Sequence, residues 1–369
     1  MSIAALAQSV ERRSRKAKVS GSIPEGGSTS ESQDKPPRQD GHKSPQGVQG
    51  IQLELRPSRR KMAFESKLIG DYKLPSLEHT FSPEDRILIL GAGGWFGQTM
   101  LNMLGPSTPT LAISSAPGKG QSRWDINEVE NFRPTFVANF AFLTRNRQSQ
   151  YRRETYISMN LELIERMKYA AQLKTVKGLI TVSSGASQDS EARDGLESRE
   201  IYGALKRLEE MTALACQNSA RSAVILRAYS VSGPYVRNPQ QYAFSSFVEQ
   251  GVQEKEITIS STYPVLRRYV SVGDLLAVGL RRAKSGFSGV IESGGELIEL
   301  QELAHLVGEY LKAPVIERKS LDLSQCDNYY SDNSSWEQNV KETGLQPLTL
   351  RQQVEVTASF LQRSGTKIH

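Results

Sequence analysis

The sequence predicts an α/β fold built on a doubly wound parallel sheet, and three observations lead there. Short apolar runs alternate with longer amphipathic stretches over most of the 369 residues, the pattern of strands buried on both faces and helices that cover them. A glycine-rich bend joins the first such strand to the first such helix. A later strand ends in two hydroxyl residues, at the edge where open parallel sheets gather their ligands.

Residues 1–61 read apart from the rest. They carry 12 Lys and Arg against 6 Asp and Glu, which accounts for the whole excess of 46 basic over 40 acidic residues. The remainder is neutral, so a pI near 9.1 gives no support for a nucleic-acid surface. From Ser20 to Arg60 the chain has no aromatic residue and much Gly, Ser, Pro and Gln. Such a segment buries too little apolar surface to offset its ordering entropy and is expected to be disordered. Met1 to Ala17 has no apolar core of a secretory signal, and Glu11 interrupts it. A basic RNA-binding arm and an organelle transit peptide are open readings. The preferred one is that residues 7–13 (AQSVERR) and 21–27 (GSIPEGG) resemble the conceptual translation of a transfer-RNA gene, with Met62 as the true start.

From Ile87 to Leu90 an apolar run reads as a buried strand, and the spacing of Phe96, Met100, Leu101 and Leu104 suits a helix. Between them, Gly91 permits a tight turn, Gly93 and Gly94 let a pyrophosphate approach bare backbone, and Gly97 lets helix and strand pack closely. Trp95 and Phe96 open that helix, whose N–H groups face the phosphates, and are counted with the turn. The fold is therefore of the Rossmann type, with a dinucleotide site at its first bend. Thr110 to Ser114 reads as the second strand and Phe136 to Phe142 as the next. Tyr156 to Leu173 is an amphipathic helix, and Gly178 to Ser184 is the strand ending in Ser183 and Ser184. A helix from about Ile201 to Cys216, a strand from Ala223 to Tyr229, a turn and small helix within Gly294 to Val307, and a terminal helix from Leu348 to Leu361 complete the pattern.

Tyr202 and Lys206 lie four apart, hence on one helix face. An ammonium beside a phenol of ordinary pKa near 10 favours the phenolate, which suits proton transfer from an alcohol, while Ser184 holds the oxygen. Cys216 and Cys326 form no Cys-x-x-Cys pair, and His42, His79, His305 and His369 have no ligand spacing. Reduced thiols, a cytoplasmic location and no metal are expected. No apolar run approaches the roughly 18 residues of a membrane span.

Taken together, these motifs resemble the extended short-chain dehydrogenase/reductase family, of the NAD-dependent epimerase/dehydratase type that acts on nucleotide sugars. The similarity runs from about Ile87 to the C-terminus. It rests on Gly91, Gly94 and Gly97; on Asp125, where the family binds adenine; on Asn139 and Ala141 in the cofactor-lining strand; and on Asn160, Ser184, Tyr202 and Lys206. Residues 226–235 (LRAYSVSGPY) resemble the strand leading to the substrate loop, and residues 267–274 (RRYVSVGD) a later family segment. The resemblance implies a homodimer, a nucleotide-sugar ligand, NAD or NADP as cofactor, and a role for Lys206 at the nicotinamide ribose. It also implies a dinucleotide-binding domain over 62–234 and, over 235–369, a mixed substrate-binding region with late elements of the sheet.

Several residues depart from the family pattern. Ser114 and Ser115 end the second strand where NAD-preferring members place an acid, so NADP is open, with Lys119 or Arg123 available to a 2′-phosphate or else merely solvated. Ser230 and Ser271 stand where asparagine and histidine are common. Gly185 and Ala186 follow Ser184 in place of an Asp-Glu pair, which disfavours dehydration. Substrate contacts are expected from Ser184, Ser230, Tyr235 and Arg267, the last gripping a diphosphate bidentately. Asn238, Tyr242, Phe244 and Phe247 form an aromatic and polar cluster suited to a base and sugar or simply to packing; Arg227 and Arg268 are candidates for structural ion pairs. A 4-epimerase and a 4-ketoreductase share these steps, and a dinucleotide-sensing protein without turnover is the reading from another class.

Overall fold

The computed structural model describes residues 74–77, 80–188, 197–318 and 320–365. The leader lies outside the described residues, as do Met62, His42, His79 and His369, so the readings made for them stand as expectations.

Strands β1 (Ile87–Leu90), β2 (Thr110–Ile113), β3 (Phe136–Asn139), β4 (Gly178–Ser184) and β5 (Ser222–Ala228) alternate with α1 (Trp95–Met103), α2 (Ile126–Phe132), α3 (Arg153–Gln172) and α4 (Glu197–Ala215). The chain then adds β6 (Ser230–Ser232), α5 (Ala243–Val252), β7 (Val265–Ser271), α6 (Val272–Lys284), β8 (Gly289–Glu292), β9 (Glu296–Glu299) and α7 (Leu300–Leu311). β10 (Asp327–Tyr329), α8 (Ser334–Thr343) and α9 (Leu350–Gly365) close it.

The main sheet has six strands in the order β2-β1-β3-β4-β5-β8, all parallel. Its order reverses between β1 and β3, which opens a crevice at the carboxyl ends of those strands. Alternation sorts the side chains: Ile87, Ile89, Phe136, Ala138, Ile180, Val224 and Leu226 share one cluster with Met100 of α1 and Leu276 of α6. Gly279 lets α6 lie against the sheet, since a Cβ there would come within 2.7 Å of Leu226 and 2.8 Å of Ile180. Beside β2, a single parallel bridge pairs Ile113 with Ser122.

A smaller sheet carries the rest. β7 pairs in parallel with β10 and β6 and antiparallel with β9. Its core gathers Phe244 and Phe247 with Tyr269, Leu303, Val307 and Val354. Those two phenylalanines, counted among candidates for a ligand-facing cluster, are therefore packing residues: helix α5, not anticipated from the sequence, turns them inward at 0% and 4% exposure. β8 returns the chain to the main sheet between β7 and the last two strands of the small one, β9 and β10. β3 stops at Asn139, short of the expected Phe142, because the chain beyond it is drawn to α3 by side-chain hydrogen bonds described below. The stretch expected to be a turn and helix from Gly294 also contains β9.

Candidate active site

The glycine bend is tightly built. Gly91 has φ +81°, and a Cβ there would sit 2.6 Å from the backbone of Phe140 and Ala141; at Gly97 it would sit 2.5 Å from the Gly91 carbonyl oxygen. Gly94 differs. It caps α1 with no side-chain bond, and a Cβ on it would meet only the Gly91 carbonyl oxygen, at 3.3 Å, with open space otherwise. A pyrophosphate fits such a place: bare backbone at a helix N-terminus, with N–H groups that have no partner inside the helix. The Trp95 indole is turned toward the segment after β6, where its N–H donates to the Pro234 carbonyl at 2.6 Å and its ring lies 5.5 Å from that of Tyr242. Phe96 packs toward Phe140, with ring centroids 6.0 Å apart. Ser114, buried at the end of β2, donates to the Ala116 carbonyl at 3.2 Å.

Beyond the bend, an open cavity of about 320 Å³ is lined by Ser184, Tyr202, Tyr242, Arg267 and Tyr329, with residues 144–146 at its rim. Ser184 reaches it from the end of β4, and its hydroxyl lies 3.0 Å from that of Tyr329. Tyr202 reaches it from α4, edge-on to Phe142 with centroids 5.8 Å apart. Burial pushes the Tyr202 phenol up to about 12; its hydrogen bond with Ser184 pulls down, the Glu209 charge pushes up, and Arg145 pulls down. Arg145, in the short helical turn Arg145–Gln150, is thus a cation facing the phenol that the sequence did not single out.

Lys206 departs from expectation. Its ammonium, 4% exposed, donates to the Val182 carbonyl and to Glu209, each at 2.8 Å, and lies 3.7 Å from the centre of the Phe142 ring. It faces the interior, held there by Val182 and Glu209. The cause is Glu209, a carboxylate buried one turn along the same helix, which also accepts from Asn139 at 2.7 Å and Thr181 at 2.8 Å. Burial pushes the Glu209 carboxyl up, and the Lys206 partner opposes it.

The same network engages Asn139, expected to line the cofactor: its amide donates to Thr181 and Glu209 within the core. Asn160, also expected at the cofactor, instead accepts from the Leu143 N–H at 2.8 Å, while the Tyr156 hydroxyl donates to the Leu143 carbonyl at 2.7 Å. Both bonds position the segment after β3, and through it Ala141 and Arg145. Asp125, expected at adenine, caps α2 by accepting from Asn127 and Glu128. Tyr235 packs on Phe360, centroids 5.1 Å apart; among the described residues it and Ser230 lie outside the cavity lining. Arg267 does line it, yet its guanidinium is paired with Asp327 at 2.7 Å. Arg227 bridges Glu210 and Glu292, and Arg268 donates to backbone carbonyls of Ser331 and Gly295.

A family model described as the NAD dependent epimerase/dehydratase family matches residues 87–289. The chain belongs to this family. The match spans the glycine bend, Ser184, Tyr202 and the strands β1 to β5 of the main sheet, and ends at the first residue of β8. No curated protein matches the sequence. Among solved structures, MoeE5 in complex with UDP-glucose and NAD is 20% identical, with TM-score 0.58, over 76% of this chain and 99% of that one. WbmF of Bordetella bronchiseptica, in complex with NADH, is 14% identical, with TM-score 0.61, over 78% and 95%. UDP-glucose 4-epimerase of Thermus thermophilus, in complex with NAD, is 18% identical, with TM-score 0.57, over 75% and 99%. At these identities the likeness to each is one of fold. Among the described residues of this epimerase/dehydratase-family chain, no group of His, Cys, Asp and Glu could hold a metal, and no helix is long and apolar enough to cross a membrane.

Proposed function

We propose that the protein carries out NAD(P)-dependent oxidoreduction at a carbon of a nucleotide-linked sugar, as a 4-epimerase or a 4-ketoreductase. The observation that carries this reading is the meeting of Ser184 and Tyr202, drawn from separate elements, on one cavity whose Tyr242 wall packs against Trp95 at the glycine bend. When bound, a nicotinamide dinucleotide supplies or accepts the hydride. The chain's own residues handle the proton and the oxygen. Tyr202, protonated at neutral pH, donates to a ketone oxygen becoming an alcohol and takes the proton back in the reverse direction. Ser184 holds that oxygen, exchanging its bond to Tyr329 for one to the sugar. Arg145 and Arg267 offer guanidinium groups to the anionic part of the ligand, and Tyr242 offers a ring face. The bend and the first turn of α1 hold the pyrophosphate. Gly185 and Ala186 bring no carboxylate for water elimination, which speaks against a dehydratase.

Substituting Tyr202→Phe tests this. It is expected to lower turnover at least about 100-fold while dinucleotide binding, followed by fluorescence, is kept; unchanged turnover overturns the assignment. Oxidation of added NADPH in proportion to product marks the ketoreductase, and product formed with no net change in dinucleotide marks the epimerase. The interior position of Lys206 favours a second reading, a dinucleotide-sensing protein without turnover. It predicts that Tyr202→Phe leaves the cellular function intact.

A further inference from the structure

The glycine bend implies a dinucleotide but not which one, and the surroundings of β2 bear on that choice. In this fold an acid about 20 residues beyond the bend bonds the adenosine ribose 2′-hydroxyl, whereas a cation there accommodates a 2′-phosphate. Here β2 is followed by Ser114, buried against the bend so closely that a Cβ on Gly93 would come within 2.5 Å of its hydroxyl. The connection that follows is short: Ser114 N–H donates to the Ser122 carbonyl at 2.9 Å and Ser122 N–H to the Ala112 carbonyl at 2.8 Å. That parallel pairing sets Ser122 beside Ile113, so Arg123 follows at the same carboxyl edge as Ser114. Lys119 lies on the loop between them.

No acid occurs from Ser114 to Trp124. The next one, Asp125, is engaged in capping α2, and Glu128 accepts from Ser122 at 2.8 Å. Lys119 and Arg123 are exposed, and among the described residues neither has a hydrogen bond or an ion pair. Arg227 and Arg267, by comparison, are neutralised by carboxylates. Two uncompensated cations and a buried hydroxyl thus lie on the connection after β2 that borders the place of the ribose, and the nearby carboxylates of Asp125 and Glu128 are engaged by the α2 cap and by Ser122. We infer that the site selects the 2′-phosphorylated dinucleotide, NADP(H), with Lys119 and Arg123 as the phosphate partners.

The inference rests on the proposed dinucleotide site, and the test separates the two. The full chain is titrated with NADPH and with NADH by fluorescence at low salt, and bound NADPH is competed with 2′,5′-ADP and with 5′-ADP. Tighter binding of NADPH by about 10-fold or more is expected, decaying with salt as phosphate contacts do, together with displacement by 2′,5′-ADP at much lower concentration than by 5′-ADP. K119A and R123A, both surface changes, are expected to weaken NADPH and leave NADH unchanged. Equal or tighter NADH binding, or NADPH binding indifferent to both substitutions, overturns the selection while leaving the dinucleotide site standing. Binding of neither dinucleotide overturns both.

Discussion

Glu209 is one carboxylate with three consequences: it holds Lys206 in the interior, it fixes Asn139, and its charge opposes ionisation of Tyr202. A phenol held near 12 is a proton donor at neutral pH and becomes a base only as pH rises. Oxidation of an alcohol is therefore expected to gain roughly tenfold per pH unit across the neutral and mildly alkaline range. Glu209→Gln keeps an acceptor for Thr181 and removes the charge. It is expected to move the basic limb of the pH–rate profile down by about one unit, without a matching change in KM. A profile that stays put shows that the pair does not govern the phenol. The Lys206–Glu209 pairing was open to reading from the sequence, since residues three apart on a helix are neighbours. Arg145 and Tyr329 carried no such signal: one lies on a connection after β3, the other on a three-residue strand placed only by its pairing with β7.

At the level of elements, strand and helix positions were legible wherever the pattern is local. β1 and β4 coincide with the apolar runs read for them, and α3 and α4 begin three and four residues earlier than read, since polar first turns carry no periodicity. What escaped was set by partners distant in the chain. α5 resembles a loop rich in aromatics until β7, α7 and α9 bury its phenylalanines, and the clamp of Asn160 on Leu143 ends β3 early. The bend itself admits a sharp test. Gly97→Ala places a methyl 2.5 Å from the Gly91 carbonyl oxygen and 2.6 Å from the Ala92 Cα. Both are backbone and cannot swing aside, so α1 must lift from β1. A stability loss of about 1–3 kcal/mol is expected, with loss of dinucleotide binding at temperatures where the fold persists. Calorimetry and a fluorescence titration on one sample measure both.

For the molecule as a whole, Asp274 couples stability to pH. It lies at the start of α6 with no exposed surface, accepts from the Leu348 N–H at 2.9 Å, and has its other oxygen, Oδ1, without a partner. Burial pushes its carboxyl up from 3.8 to about 6. Because the folded value is the higher one, its contribution is fully present below pH 4 and is lost as pH rises through 6, by about 3 kcal/mol in total. Asp274→Asn keeps the acceptor without the charge. Above pH 7 the variant is expected to melt higher than the parent, and the gap is expected to close toward pH 4; a gap independent of pH refutes the account. The indole of Trp95 bears on the molecule at the same scale. One hydrogen bond from the first residue of α1 reaches a carbonyl 139 positions along the chain, while the ring leans on Tyr242 in the wall of the cavity proposed for the sugar. The proposed phosphate cradle and the proposed sugar enclosure therefore share a beam, and a guest that tightens the first is expected to draw in the wall against which the second must settle. Ordered arrival, dinucleotide first, is the kinetic signature such a joint writes.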